Sequence, residues 1–318
     1  IMIDASHGNC GKDHTRMPTV FAEILRQRVS GDTSIIGAML EPLGLAAGPV
    51  VPTREWRELY AALDCAAVAA IHPFYTASVR EFVAAGRNVV GSAPVGYEGT
   101  EAWLQAIGEA TNIAQTDIDA AKNKFLPAIK AVLGKTPIKG RITLSGYEGS
   151  ELLVGRLLVE SGADLRYVGT ACPRTAWNEL DAQWLQSKGV MVQFRASLEQ
   201  DLAAVHEFNP NLAIGTTPIV QVAKELTIPS LYFTNLISAR PLMGPAGAGS
   251  LATVVNAAIG NKARFDQMKE FFGSVGTGHS TGVWEAAQGI PQDRPDFKAD
   301  QRRQALKMAK KRKAEEMT

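Results

Sequence analysis

The sequence predicts an α/β fold whose main parallel sheet is formed within residues 139–234. This stretch contains five short apolar segments of strand-like composition, at residues 141–145, 165–168, 190–194, 212–214 and 230–233. A segment of helical pattern follows each of them, and this alternation indicates parallel strands, because parallel neighbours require a crossover connection. Ligands bind at the carboxyl ends of the strands in such sheets, so we expect the functional residues there.

Helices are predicted after these strands at residues 150–162, 176–188, 198–208 and 220–226. The first has the clearest periodicity: its apolar residues recur at a period of about 3.6 and include Leu152, Leu153, Leu157, Leu158 and Val159, with the apolar stem of Arg156 on the same face. This pattern is typical of a helix with a buried apolar face.

A second, smaller α/β domain is predicted at residues 42–134, with a linker at 134–137 and the main domain at 138–273. Its strands are expected at residues 66–71 and 88–90, and its helices from near 53, over 79–85, after the turn at 96–99 and over 116–133. Thr100 is the candidate N-cap of the third helix. The Gly-Tyr-Glu-Gly turn before it, at Gly96, recurs in the main domain at Gly146.

The carboxyl-terminal part of the main domain is less regular in composition. Residues 236–249 are too rich in Gly and Pro for regular structure, and helices are predicted at 250–259 and 262–272. Residues 274–318 are expected to form a flexible region that ends in a basic, helix-prone tail, which either docks on an acidic partner or is simply solvated.

Composition excludes several classes of protein. The 318 residues are enough for two domains, and 46% hydrophobic with 20% charged residues is typical of a globular protein. A net charge of +1 predicts no general affinity for nucleic acid, and no apolar run reaches the roughly 18 to 20 residues of a membrane helix. The three cysteines lack paired spacing, which suits a reducing cytoplasm. Because the chain begins at Ile1, inside a strand-like segment, we expect a fragment.

Residues at the predicted strand ends are the candidates for chemistry. Cys172 and His72 each follow a predicted strand. Cys172 either faces a ligand or is a small buried thiol. His72 either faces a ligand or is an imidazole that caps a turn. Glu98 and Glu148 begin helices, where the helix dipole alone favours a carboxylate. The chain has no Walker loop and no Gly-x-Gly-x-x-Gly after a strand, so we expect it to bind no nucleotide. Its cysteines are too scattered to hold an iron–sulfur cluster among themselves.

The first 41 residues carry a separate set of motifs: Ser6-His-Gly-Asn9, Lys12-Asp-His14, Arg16 and a segment at 34–41 that ends in Glu41. These motifs closely resemble the last two strand–helix units of the type I DAHP synthases. The resemblance implies that His7 and Glu41 stand at the positions of two divalent-metal ligands of that family. An imidazole and a carboxylate at strand ends suit such a metal. The other ligands and the rest of the barrel are absent, so we expect no functional metal site. The join is either a natural fusion or an artefact, and a metal-dependent synthase fragment is an alternative function.

From about residue 37 onward, a long and nearly gapless series of segments resembles the Y subunits of chlorophyllide a reductases, nitrogenase-like enzymes of bacteriochlorophyll synthesis. The matching segments are residues 44–60, 71–78, 145–153, 167–175, 195–202 and 232–249. The resemblance implies two Rossmann-like parallel-sheet domains of the nitrogenase component 1 type, with the N-terminal cluster domain missing.

The same resemblance implies a reaction, partners and cofactors. The reaction is the ATP-dependent two-electron, two-proton reduction of the C7=C8 bond of chlorophyllide a, in a heterotetramer with a Z-type subunit. An X-type iron–sulfur protein would bind ATP and deliver the electrons. The intact complex would hold [4Fe-4S] clusters whose ligands are absent from this chain, so we expect it to be inactive alone; a non-catalytic assembly role is an alternative.

The substrate site can also be assigned to residues through this resemblance. Tyr147, Glu148 and Thr170 would line the substrate-binding face. The reaction needs a proton donor, for which His72 and Cys172 are the candidates.

Overall fold

The computed structural model describes residues 39–50, 55, 57–238 and 241–267. Several predictions lie outside these residues: the synthase-like segment ahead of residue 39 with His7 and Arg16, the helix start at Thr53, and the basic tail. Glu41 is described and is exposed, in a short 3-10 helix at Glu41–Leu43.

The first part of the described chain forms a small α/β unit with two parallel strands. Its elements, in chain order, are α1 (Glu58–Leu63), β1 (Val68–Ala70), α2 (Thr76–Ala84), β2 (Val89–Gly91), α3 (Tyr97–Ala110) and α4 (Gln115–Lys135). The strands pair from Val68 with Val89 to Ala70 with Gly91. Trp103 and Leu104 of α3 and Ile118 of α4 are at most 2% exposed and form the centre of this unit's core. Because α4 continues to Lys135, the predicted linker begins inside a helix.

The predicted N-cap of α3 is wrong. Gly96 occupies the cap position with φ 70°, and Thr100 lies within the helix, where its hydroxyl donates a hydrogen bond to the Gly96 carbonyl at 2.6 Å. A backbone in the left-handed region favours glycine, so the turn is made by Gly96 and the helix begins directly after it.

The second part of the chain forms the main sheet, which confirms the predicted parallel architecture. Its elements are β3 (Arg141–Gly146), α5 (Glu151–Glu160), β4 (Asp164–Thr170), α6 (Glu179–Ser187), β5 (Met191–Phe194), α7 (Leu198–Phe208), β6 (Leu212–Gly215), α8 (Thr217–Glu225), β7 (Ser230–Tyr232), α9 (Phe233–Ser238) and α10 (Gly244–Gly260). The strand order is β5-β4-β3-β6-β7, and all neighbouring strands are parallel. The order reverses between β3 and β6, which is the point where open α/β sheets bind ligands.

The Gly- and Pro-rich stretch at 236–249 is more regular than predicted. Helix α10 begins at Gly244, with a proline in its first turn, where a missing amide proton costs nothing. A Cβ atom at Gly247 would lie 2.3 Å from the carbonyl carbon of Leu242. The glycine content therefore reflects a close approach of the helix to the preceding loop rather than irregular structure.

The small unit and the main sheet share both an apolar core and a buried polar contact. Val95 and Ile129 of the small unit belong to the same core cluster as β3 and α5. Arg156 of α5 forms an ion pair with Asp181 of α6 at 2.6 Å, with both side chains at most 6% exposed. Ser92, which follows β2, donates a hydrogen bond to the same Asp181 oxygen at 2.9 Å.

Within the described residues, no helix has both the length and the apolar character needed to cross a bilayer.

Candidate functional site

The loop at residues 146–149 joins β3 to α5 and lies at the carboxyl end of the central strand. Because β4 and β6 flank β3, this loop stands at the reversal of strand order. Its Tyr147 side chain is 59% exposed, whereas Glu148 is only partly exposed. The hydroxyl of Thr234, in α9, donates a hydrogen bond to Oε1 of Glu148 at 2.8 Å. The loop therefore presents an aromatic ring and an anchored carboxylate at the sheet edge.

His72 packs against this loop from the small unit, two residues beyond β1. A Cβ atom at Gly149 would lie 2.8 Å from Cε1 of His72 and 2.8 Å from a ring carbon of Phe74, and Gly149 has φ 96°. The imidazole also contacts the rings of Phe74 and Tyr75, at centroid distances of 5.8 and 5.5 Å. His72 belongs to the small unit and the loop belongs to the main domain, and the fold brings the two into contact.

The environment of His72 favours its neutral form. Partial burial lowers the pKa of the imidazole, while a hydrogen bond with the backbone of Glu148 and the charge of that residue act in the opposite direction. Nδ1 accepts a hydrogen bond from the Phe74 amide at 3.4 Å.

Glu151 is completely buried beneath the loop and was not among the predicted site residues. Its carboxylate accepts hydrogen bonds from the backbone amides of Glu148, at 2.8 Å, and Gly149, at 3.1 and 3.0 Å. The hydroxyl of Thr170 donates a further hydrogen bond at 2.8 Å. Burial raises the pKa of Glu151, and these hydrogen bonds oppose that effect. A glutamate in a first helical turn is unremarkable in sequence, so no local signal distinguishes this one.

Thr170 is the last residue of β4 and Cys172 lies two residues beyond it, but both are below the surface rather than on it, each 1% exposed. The Thr170 hydroxyl is directed to Glu151 and accepts a hydrogen bond from the Cys172 amide at 3.2 Å. Burial raises the pKa of the Cys172 thiol to about 11, and the charge of Glu151 contributes, so the thiol stays protonated. In this conformation, neither side chain lines an open cleft.

A second buried acid lies near the same strand. Asp201, in the first turn of α7, accepts a hydrogen bond from the Tyr167 hydroxyl at 2.8 Å. A Cβ atom at Gly169 would lie 2.1 Å from the Asp201 carboxylate, so the chain needs glycine there. Burial raises the pKa of Asp201 to about 6, the Tyr167 hydrogen bond opposes the shift, and Glu151 adds to it.

The arrangement brings some predicted site residues together and separates others. His72, Tyr147 and Glu148 meet at the edge of the sheet, and Thr170 and Cys172 form a buried layer around Glu151. In the part of the chain that the structure describes, no group of three or more His, Cys, Asp or Glu side chains is placed to hold a metal ion.

Comparison with known proteins gives a consistent set of relatives. The sequence pattern of the Nitrogenase component 1 type Oxidoreductase family matches residues 16–259. The chain is 64% identical over 94% of its length to the chlorophyllide reductase 52.5 kDa chain of Cereibacter sphaeroides. It is 61% identical, again over 94% of its length, to the chain of the same name in Rhodobacter capsulatus. It spans 59% of the length of each of these relatives.

Two further matches bear on the fold and on the first residues. A solved structure entitled "Nitrogenase Cp1 at pH 5" is similar with a TM-score of 0.56 and 11% identity, over 72% of this chain and 54% of that one, which supports the fold alone. A 41-residue stretch is 51% identical to the tyrosine-inhibited phospho-2-dehydro-3-deoxyheptonate aldolase of Schizosaccharomyces pombe; it covers 13% of this chain and 11% of that protein.

Proposed function

Because this chain belongs to the nitrogenase component 1 type oxidoreductase family, we propose that it forms part of the catalytic component of a chlorophyllide reductase. The observation that carries the proposal is the 64% identity, over almost the whole chain, to a chlorophyllide reductase chain. The two-electron, two-proton reduction of the C7=C8 bond of chlorophyllide a is the proposed reaction. A Z-type subunit in a heterotetramer and an ATP-hydrolysing X-type iron–sulfur protein are the proposed partners.

The described residues do not fit an iron–sulfur cluster. Their free cysteines are Cys65, near the end of α1, and Cys172, which is buried with its pKa raised to about 11. A [4Fe-4S] cluster takes four cysteine ligands, and the described residues bring together no group of three or more His, Cys, Asp or Glu side chains that could hold a metal. No step of the proposed mechanism in this chain therefore passes through a cluster, and the [4Fe-4S] ligands belong to the proposed remainder of the complex.

The proposed role of this chain is to bind the pigment and supply a proton. A flat macrocycle packs well on exposed aromatic rings, and Tyr147, Phe74 and Tyr75 are 59%, 44% and 43% exposed around the edge of the sheet. Glu148 is held by Thr234 on one side and lies beside His72 on the other. The polar groups are thus fixed before a substrate arrives, which lowers the entropy lost on binding.

His72 is better placed than Cys172 to donate the proton. The imidazole is partly exposed at the edge, whereas the thiol is 1% exposed beneath it. A proton donor must lie close enough to the reacting carbon to transfer its proton, so its position is judged before its pKa.

The test is reconstitution of the complete subunit that carries this sequence with its partner chain and the ATP-hydrolysing reductase. The expected result is ATP-dependent conversion of chlorophyllide a to a product that has gained two hydrogen atoms, measured by mass spectrometry and absorbance. Assembly of a cluster-containing complex that leaves chlorophyllide unchanged would contradict the proposal and favour the non-catalytic assembly role. Mn²⁺-dependent aldol condensation by the chain would instead favour the synthase alternative.

A further inference from the structure

Each of the two Gly-Tyr-Glu-Gly turns directs backbone amides at a glutamate carboxylate, which is fully buried at Glu151 and partly buried at Glu160. In the turn at Gly146, the amides of Glu148 and Gly149 donate to Glu151. In the turn at Gly96, the amides of Tyr97 and Glu98 donate to Glu160. In both turns a glutamate carboxylate accepts hydrogen bonds from two backbone amides, those of the second and third residues in the turn at Gly96 and those of the third and fourth residues in the turn at Gly146.

The two turns differ in what covers them. The turn at Gly96 lies against the main domain, where Oε2 of Glu98 accepts a hydrogen bond from the Trp184 indole at 2.6 Å. The turn at Gly146 lies at the carboxyl end of the central strand, and its tyrosine, Tyr147, is 59% exposed. Of the two turns, the one at Gly146 stands at the carboxyl edge of the main sheet, where the ligand is proposed to bind.

We propose that Glu151 is a positioning residue that sets the affinity of the sheet edge for chlorophyllide by fixing the turn at Gly146. The inference rests on the proposed function, because it takes chlorophyllide to be the ligand. Glu151 does not reach the surface, so it acts through the turn rather than by touching the pigment.

Hydrogen bonds from two backbone amides link Glu151 to the proposed pigment face. Its carboxylate fixes the amides of Glu148 and Gly149, and these residues in turn contact Thr234 and His72. Without the carboxylate, the two amides would be left buried without an acceptor, which is unfavourable, and the turn would leave this conformation. Tyr147 would then lose its fixed position, and the pigment would have to order the turn on binding.

The decisive variants separate hydrogen bonding from charge. Glu151→Ala removes every acceptor, whereas Glu151→Gln can keep one oxygen on the amides of Glu148 and Gly149 and direct its NH₂ group to the Thr170 hydroxyl. The matched control is Glu160→Ala, which empties the equivalent turn in the small unit, away from the proposed pigment face.

The measurements are chlorophyllide binding by the assembled complex, its kcat, and hydrogen exchange of the turn amides. Glu151→Ala is expected to weaken binding by about tenfold or more, with a smaller change in kcat, and to speed exchange of the Glu148 and Gly149 amides. Glu151→Gln is expected to recover most of the lost affinity. Glu160→Ala is expected to lower thermal stability while leaving pigment affinity unchanged.

Several results would overturn the inference. They are wild-type affinity in Glu151→Ala, equal loss of affinity in Glu160→Ala, or no recovery in Glu151→Gln. If Glu151→Ala does not fold, two variants of Thr170 test the inference instead. Thr170→Val removes the hydroxyl that donates to Glu151 and should weaken chlorophyllide binding. Thr170→Ser keeps a hydroxyl and should bind chlorophyllide as the wild type does. A wild-type complex that binds no chlorophyllide refutes the proposed function itself, whereas normal wild-type binding with unchanged variants refutes only the role of Glu151.

Discussion

The Glu160 carboxylate, at the end of α5, accepts a hydrogen bond from the backbone amide of Tyr97, the first residue of α3. It also accepts one from the Glu98 amide at 3.3 Å. The first amides of a helix have no partner within the helix, and the dipole favours a negative charge there. A side chain of the main domain therefore caps a helix of the small unit and ties the two together.

Replacing this cap should destabilise the protein. Glu160→Ala leaves partly buried amides without an acceptor, and we expect the free energy of unfolding to fall by about 1–3 kcal/mol. Urea denaturation followed by circular dichroism measures the change. Glu160→Gln keeps an amide oxygen and should recover part of the loss. An Ala variant with the wild-type midpoint would show that the contact contributes nothing to stability.

Gly149 offers a test of the contact between the loop and His72. Gly149→Ala should be destabilising for two reasons: the φ of 96° is unfavourable for alanine, and the new methyl group would overlap His72 and Phe74. Gly189→Ala is the matched control, because Gly189 also has positive φ, 82°, but has no neighbour within 4 Å. We expect about 1 kcal/mol for Gly189→Ala and about 2–4 kcal/mol for Gly149→Ala.

An NMR titration of His72 adds a local readout to the same pair of variants. If Gly149→Ala pushes the imidazole toward solvent, the burial that lowers its pKa is relieved, and its pKa should rise toward the ordinary value. Gly189→Ala should leave the titration of His72 unchanged. Equal destabilisation by the two variants, with no change at His72, would argue against the contact.

The fold could be predicted from sequence because its signals are local. Alternating strand and helix patterns place all five strands of the main sheet within a few residues of their observed positions. The burial of Glu151 in α5 was harder to predict, because its charged side chain is 0% exposed. Glu151 is enclosed by the loop at residues 146–149 and by Thr170, and a helical period carries no information about such partners.

The site could be predicted only in part, because its contacts join distant parts of the chain. Strand-end position selects His72, Tyr147 and Glu148, which do lie at the edge of the sheet. The same rule selects Thr170, but its hydroxyl is directed inward to Glu151, a partner that becomes visible only when β3 and β4 pair. Strand-end patterns locate an edge and do not show which side chains face it.

Asp201 should make the stability of the protein depend on pH. Its pKa is raised from 3.8 to about 6 in the folded state, mainly by burial, so the folded protein holds this proton more tightly than the unfolded chain. The stabilising contribution is therefore complete below the unfolded value and is lost as pH rises through about 6. In Asp201→Asn, the fall in unfolding free energy between about pH 4 and 7 should be smaller than in wild type, as denaturation at several pH values would show.

Tyr167→Phe provides the complementary change. The Tyr167 hydroxyl donates to the Asp201 carboxylate and opposes the shift, so its removal should raise the pKa of Asp201 further and move the transition to higher pH. Identical pH profiles for wild type and Asp201→Asn would show that another group controls stability in this range.

Replacing His72 should change the rate of the proposed reaction. If its imidazolium donates the proton in pigment reduction, His72→Gln in the assembled enzyme should lower kcat by about 100-fold or more, with a smaller effect on pigment affinity. Cys172→Ala tests the competing donor and should cost less, because the thiol is 1% exposed. His206→Gln alters an exposed histidine on α7 and is the control expected to keep the wild-type rate.

The pH profile separates a proton donor from a residue that only packs against the loop. Burial lowers the pKa of His72 below 6.5, so the imidazolium is lost as pH rises through a value below that figure. The wild-type kcat should therefore fall with rising pH across this region, and the fall should vanish in His72→Gln, whose smaller rate would be independent of pH there. A His72→Gln enzyme with a reduced rate but an unchanged pH profile would assign the proton to another group and leave His72 a packing role.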